Sequence, residues 1–258
     1  MIPDLKAHWA QGKTMLGTMV IAMRNPAIAY ALAAAGFDFM VVDCEHGSFG
    51  YETIEDLALA CRGAGIAMIV RIPEIRREPV LKCLEAGVTG ILAPQVETVE
   101  QAAALVSYLR YAPQGGRGVS LTRPHTEFRK VNGREYMKEA NRRSVLILQV
   151  ESKAGLENID ALAAVPGVDA VLIGPNDLSQ SLTDGANNDP AAVNEAISTI
   201  IQSVHRQGLV CGIHCSQLPD VLRWREHGLR LLMWSSEITL LMAEAQRGLQ
   251  ALREVEKQ

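Results

Sequence analysis

The stretch VVDCEHGSFG, residues 41–50, decides how this chain is read. Val41 and Val42 suit a strand buried on both faces, yet the run passes straight into Asp43, Cys44, Glu45 and His46, with Gly47 next. A strand crossing a core has reason to end in charge where that end opens on a site. The pattern of short apolar runs recurs along the chain. Runs at 15–20, 39–42, 67–71, 89–93, 145–150, 170–173, 209–213 and 231–234 predict eight strands, near-continuous in Val, Ile, Leu and Ala. Parallel strands covered on both faces read this way. Amphipathic runs near 26–35, 51–64, 77–86, 97–110, 156–164, 189–207, 217–227 and 236–255 predict the helices that alternate with them. Gly36, Gly65, Gly87, Gly208 and Gly228 follow many of these runs and fit left-handed C-terminal caps. Eight β-then-α units in a chain of about 250 residues predict an α/β fold, a (β/α)8 TIM barrel of eight parallel strands, as one domain over residues 1–258. An open doubly wound sheet is the runner-up. Such a sheet carries a glycine-rich phosphate turn after its first strand, and IAMRNPAI, residues 21–28, has none.

Composition narrows the function. The 258 residues are 48% hydrophobic, enough for one large core, and carry a formal net charge of −4. A nucleic-acid binder shows a basic stripe, and this balance supports none. No apolar run reaches the roughly eighteen residues of a membrane span. The segment MIPDLKAHWAQGKT lacks the apolar core of a signal peptide. A cytoplasmic protein is therefore expected, with its five cysteines, none in a C-x-x-C pair, as reduced thiols.

Active sites of such barrels lie at the carboxyl ends of the strands. Strand 2 ends in Asp43, Glu45 and His46, strand 3 in Arg71, strand 5 in Gln149 and Glu151, and strand 6 in GPNDLS with Asp177 after the turn. Side chains alternate along a strand, so Ile147, Gln149 and Glu151 share one face. A lone carboxylate pointing into a barrel is costly to desolvate, and two near each other repel. A divalent cation between Glu151 and Asp177 removes both problems. Mg²⁺ habitually takes one or two carboxylates plus waters and substrate oxygens, and Mn²⁺ or Co²⁺ suits the same donors. The alternative is that these acids cap helices or pair with arginines, and Asp177 stands near a helix start. Asp43, three residues before His46, is expected to orient the imidazole and raise its pKa toward neutrality. Arg71 needs an anion, either a substrate or an internal partner in Asp43 or Glu45.

Other features are weaker. CGIHC, residues 211–215, suggests zinc through Cys211, His214 and Cys215. However, His214 differs in strand parity from the cysteines and no fourth ligand is evident. A Schiff-base aldolase needs a lysine inside the barrel, and no predicted strand core contains one. The basic connection from Tyr111 to Ser144 is long for a compact domain. It reads as a lid, a subunit contact, or a solvated excursion with a short helix around 135–140.

In this order, VVDCEHGSFG, VRIPE, RGVSLTR, LILQVES and IGPNDLSQSL resemble the HpcH/HpaI family of metal-dependent aldolases, over nearly the whole chain. The resemblance implies a barrel binding Mg²⁺, Mn²⁺ or Co²⁺ through Glu151 and Asp177, with pyruvate or oxaloacetate on that metal. It assigns Arg71 to the keto oxygen and enolate, His46 with Asp43 to acid–base work, and Gln149 to the site wall. Gly174, Pro175, Asn176 and Asp177 would receive the pyruvate carboxylate, as a helix N-terminus favours an anion. The implied reaction is cleavage or formation of a 4-hydroxy-2-oxo acid, of the 2-keto-3-deoxy type, to pyruvate and an aldehyde. The implied assembly exchanges the final helix between neighbours, giving a homo-oligomer built as a trimer of dimers, a hexamer. Two segments depart from the family: SLTDGANND, residues 181–189, and LLMWSSEITLL, where Trp234 either shapes an aldehyde pocket or packs under the last helix. A citrate-forming or CoA-ester lyase on the same fold is the alternative. Arg117, Arg123, Arg129, Lys130 and Arg134 are then candidates to meet a nucleotide.

Overall fold

A computed structural model describes residues 2–183 and 189–255. The strands are β1 (Met15–Val20), β2 (Phe39–Asp43), β3 (Ala67–Arg71), β4 (Gly90–Ala93), β5 (Val145–Val150), β6 (Ala170–Ile173), β7 (Val210–Cys215) and β8 (Leu231–Ser236). They close in sequence order into a parallel barrel, β8 pairing back onto β1. The helices are α1 (Leu5–Ala10), α2 (Ala27–Ala34), α3 (Tyr51–Ala64), α4 (Arg77–Ala86), α5 (Val99–Leu109) and α6 (Gly133–Arg143). They continue as α7 (Lys153–Glu157), α8 (Ile159–Ala163), α9 (Pro175–Leu182), α10 (Pro190–Arg206), α11 (Leu218–Glu226) and α12 (Glu237–Val255). The chain is thus the (β/α)8 TIM barrel that its apolar runs predict.

Strand parity builds two cores. Met19, Val41, Ile69, Leu92, Ile147, Leu172 and Met233 fill the barrel interior. Val42, Val70, Ile91, Leu148, Val171 and Ile213 pack outward beneath the helices. Cys211 and Cys215 belong to the outer layer, whereas His214 lines the inner cavity, so CGIHC is not a zinc site. Trp234 also packs against the outer layer and does not shape the cavity. Leu5 and Trp9 of α1, a helix the sequence reading did not foresee, join the interior cluster at the barrel's amino end.

The long basic connection is not a lid. It joins α5 to β5, and the topology puts every such connection at the amino end of the barrel, away from the strand ends that carry the polar residues. Arg62 of α3 donates to the Pro124 carbonyl at 3.0 Å, and the short 3-10 turn Pro124–Thr126 packs on α4. Arg117 is buried, its guanidinium 4.5 Å over the Tyr111 ring.

One carboxylate ties the end of the barrel to its beginning. Glu237, 4% exposed, accepts from the backbone N–H groups of Ile21, Ala22 and Met23 at 2.7–3.0 Å. Those amides leave β1 at the mouth and have no strand partner there. Glu237→Ala is expected to cost about 1.5–3 kcal/mol, because its charge-assisted bonds to three backbone donors are lost. Chemical denaturation of both proteins checks this.

Candidate active site

The site begins with a register. β2 and β3 pair so that Asp43 lies opposite Arg71. Arg71 Nε donates to Asp43 Oδ1 at 2.8 Å and Nη2 to Oδ2 at 2.6 Å, while Nη1 stands 3.0 Å from Glu45 Oε2. Burial alone would push the Asp43 carboxyl up. The hydrogen bonds and charge of Arg71 outweigh it and hold the group below the usual carboxylate range. Burial does raise Glu45, against the pull of Arg71. A guanidinium has five N–H donors. Nε and one N–H of Nη2 are hydrogen-bonded to Asp43, and Nη1 is ion-paired with Glu45 without a hydrogen bond, so each terminal nitrogen keeps an N–H for a ligand.

This geometry corrects the expectation that Asp43 orients the His46 imidazole. Asp43 holds the backbone of the turn, accepting from Glu45 N at 3.0 Å and His46 N at 3.3 Å, and its carboxylate faces Arg71. The reason is register: the strand presents Asp43 to its neighbour β3, and a bidentate guanidinium is the stronger partner. The carboxylate facing the imidazole is that of Glu45, 3.9 Å from Nε2, and the His46 side chain is 70% exposed at the rim.

Gln149 and Glu151 point inward as their parity predicts, at 4% and 3% exposure. Gln149 Nε2 donates to Glu151 Oε2, and Gln95 N donates to Oε1 at 3.0 Å. Gln95, in a left-handed backbone with φ of 49°, was not foreseen, since only its main chain takes part. Burial, together with the charges of Asp177 and Glu45, pushes Glu151 up to about 7. Gly174 passes so close that a methyl group there would overlap the Glu151 carboxylate. Beyond it α9 opens with Pro175 at its first position, Asp177 in its first turn and no side-chain cap. Its first free amides therefore face whatever sits at its end.

These residues enclose a cavity of about 270 Å³ at the carboxyl end of the barrel. Asp43, His46, Arg71, Gln149, Gly174, Pro175, Asn176 and Asp177 line it, joined by His214 and Ser236, which sequence reasoning did not select. Glu151 lies in its wall, behind Gly174 and Gln149. Residues 184–188 of the divergent SLTDGANND segment lie outside the described residues.

Comparison with known proteins supplies the chain's family. The family model for HpcH/HpaI aldolase/citrate lyase matches residues 18–243. The chain is 33% identical to the 5-keto-4-deoxy-D-glucarate aldolase of Klebsiella pneumoniae subsp. pneumoniae, covering 94% of this chain and 93% of that one. An HpcH/HpaI aldolase from Desulfitobacterium hafniense DCB-2 superposes with a TM-score of 0.92 at 33% identity, over 97% of this chain and 96% of the other. The citrate synthase SbnG superposes with a TM-score of 0.88 at 26% identity, over 98% and 99%. A parallel barrel with carboxylates and a guanidinium at its mouth, matched over this length, is an enzyme of the carbon–carbon lyase class, an aldehyde-lyase. The chain belongs to the HpcH/HpaI aldolase/citrate lyase family.

Proposed function

We propose that this protein cleaves and forms a 4-hydroxy-2-oxo acid of the 2-keto-3-deoxy sugar-acid type, giving pyruvate and an aldehyde, with a divalent cation at Glu151 and Asp177. The observation that carries the reading is the convergence, in one cavity, of a guanidinium with two spare donors, an uncapped helix N-terminus and paired carboxylates.

The donor set fits a hard cation. Glu151 is buried and destabilised as an anion by Asp177 and Glu45, so positive charge is what the cluster lacks. Gln149 Oε1 is buried without a hydrogen-bond partner, a further oxygen facing this gap. Among the described residues no three His, Cys, Asp or Glu side chains form a closed cage. Two carboxylates with open positions are the habit of Mg²⁺, and Mn²⁺ or Co²⁺ suits the same oxygens. When bound, the cation supplies Lewis-acid charge beside the substrate's keto oxygen.

The chain's own residues do the rest. The α9 amides orient the pyruvate carboxylate. Arg71, held rigidly by Asp43 and Glu45, directs its two free N–H groups at the oxygen where enolate charge develops. His46 at the rim moves the proton of the C4 hydroxyl as the carbon–carbon bond breaks. Gly174→Ala is expected to displace Glu151 and weaken Mn²⁺ binding about 10- to 100-fold, the range for disturbed ligand surroundings. Titration calorimetry measures it directly.

A homo-oligomer belongs to the same reading. Of the nineteen residues of α12 only Glu237 is buried, while Leu241, Met242, Leu249 and Leu252 are 51–67% exposed. A second copy exchanging this helix would cover them, consistent with dimers assembled into a hexamer. All five cysteines are free thiols, which suits a reducing cytoplasm.

Incubation with Mg²⁺ or Mn²⁺ and 5-keto-4-deoxy-D-glucarate, the substrate named for the Klebsiella relative, is expected to release pyruvate, followed with lactate dehydrogenase. Citrate formation is the second reading, supported by the likeness to SbnG. CoA use is less well supported, since Arg117 is buried and Arg129 pairs with Glu127 at 2.7 Å. No pyruvate from any hydroxy-keto acid, with citrate formed instead, would reverse the order of the two.

A further inference from the structure

A second chamber, of about 560 Å³, adjoins the cavity at the mouth, and Pro175, Asn176 and His214 line both. A substrate too long for the first chamber meets these three residues as it extends into the second. His214 is the one with a ring nitrogen to offer. Its Nε2 lies 3.0 Å from the Ser235 carbonyl oxygen. A carbonyl only accepts, so Nε2 carries the proton. That carbonyl is itself fixed, because Thr18 Oγ1 donates to it at 3.2 Å. Ser235 also adopts φ of 57°, a region that residues with side chains rarely enter. Burial, reinforced by the charge of Arg71, holds the imidazole below its usual range, so it is neutral near pH 7. With Nε2 protonated and the ring neutral, Nδ1 presents a lone pair. The ring's one hydrogen bond among the described residues is that of Nε2, which leaves Nδ1 open.

We propose that His214 is a specificity-determining residue for the partner of pyruvate, its Nδ1 accepting a hydrogen bond from a hydroxyl on the aldehyde. The assignment rests on the pyruvate aldolase reading above. A lone pair repels the oxygens of a carboxylate or a carbonyl and is satisfied by a donor, so a hydroxylated aldehyde fits and its deoxy counterpart leaves Nδ1 unpaired. Ser216 and Gln217 add polar groups to the lining of the same chamber, beside an apolar wall of Val193, Ile197 and Trp224.

The test compares glycolaldehyde with acetaldehyde as acceptors for pyruvate in the presence of Mn²⁺, in the full-length wild type and in H214L and H214N. Wild type is expected to prefer glycolaldehyde in kcat/KM by about tenfold or more, the size of a neutral hydrogen bond. H214L is expected to abolish that ratio, and H214N, whose amide oxygen is again an acceptor, to restore part of it. An unchanged ratio in H214L overturns the assignment, and H214A serves in its place should H214L not fold. If wild-type protein fails to exchange the methyl protons of pyruvate, the aldolase reading falls and this assignment with it. Exchange without a hydroxyl preference removes this assignment alone.

Discussion

Glu151→Gln is expected to lower turnover by about 10³-fold, because it removes the charge proposed to hold a cation, and Lewis-acid stabilisation of this kind is worth several kcal/mol. The same substitution has a second signature in pH. Burial, with Asp177 and Glu45 nearby, raises the carboxyl from its ordinary value of 4.5 to about 7 in the metal-free protein. A carboxyl raised on folding contributes stability that is fully present below about 4.5 and lost as pH rises through about 7. In EDTA, the unfolding free energy of the wild type should therefore fall by on the order of 1–3 kcal/mol between pH 5 and 8. Glu151→Gln should lack that fall. Metal binding must displace the same proton. Apparent affinity for Mn²⁺ is expected to rise up to about tenfold per unit from pH 5 to 7 and to level off above. Calorimetry in buffers of different ionisation heat would count the proton released.

Arg71→Ala is expected to abolish turnover and to destabilise the fold by about 3–5 kcal/mol, the cost of leaving buried charge unpaired. Asp43 is 2% exposed and Glu45 Oε2 is buried, and both rely on this guanidinium. Arg71→Lys separates the two effects. An ammonium keeps a positive charge near Asp43 but cannot span both its oxygens and still offer donors to a ligand. It should recover part of the stability and little of the turnover. Because Arg71 holds the Asp43 carboxyl below the usual range, the stability of this pair is present above pH 3.8 and lost as pH falls further. Acid titration of wild type against Arg71→Lys would show the difference.

Much of this architecture is legible in the residues themselves. β5 and β6 begin and end where their apolar runs do, because strands covered on both faces are apolar nearly throughout, Gln149 being the one polar residue in the two. Parity puts Gln149 and Glu151 on one face, and both are buried there. The partner of Asp43 was not legible. Three residues along the chain suggested His46, whereas the pairing with Arg71 depends on the register between β2 and β3, which no local spacing encodes. The Gln95 contribution is a main-chain N–H, invisible to any reading of side chains. Two placements carried further signals in the sequence. The parity that separates His214 from Cys211 and Cys215 also turns it to the barrel interior, where it lines the cavity. The connection from 111 to 144 follows a helix and precedes a strand, so barrel topology alone assigned it to the end away from the site. The predicted helix near 156–164 is interrupted at Asn158, giving α7 and α8.

As proposed, this mouth stabilises the enolate of pyruvate with the help of a cation held at Glu151. Exchange of the pyruvate methyl protons for deuterium, followed by NMR in heavy water, tests it before any aldehyde is known. Exchange with Mn²⁺ or Mg²⁺ that disappears with EDTA and in Glu151→Gln is the predicted result. No exchange with Mg²⁺, Mn²⁺ or Co²⁺ would contradict the account.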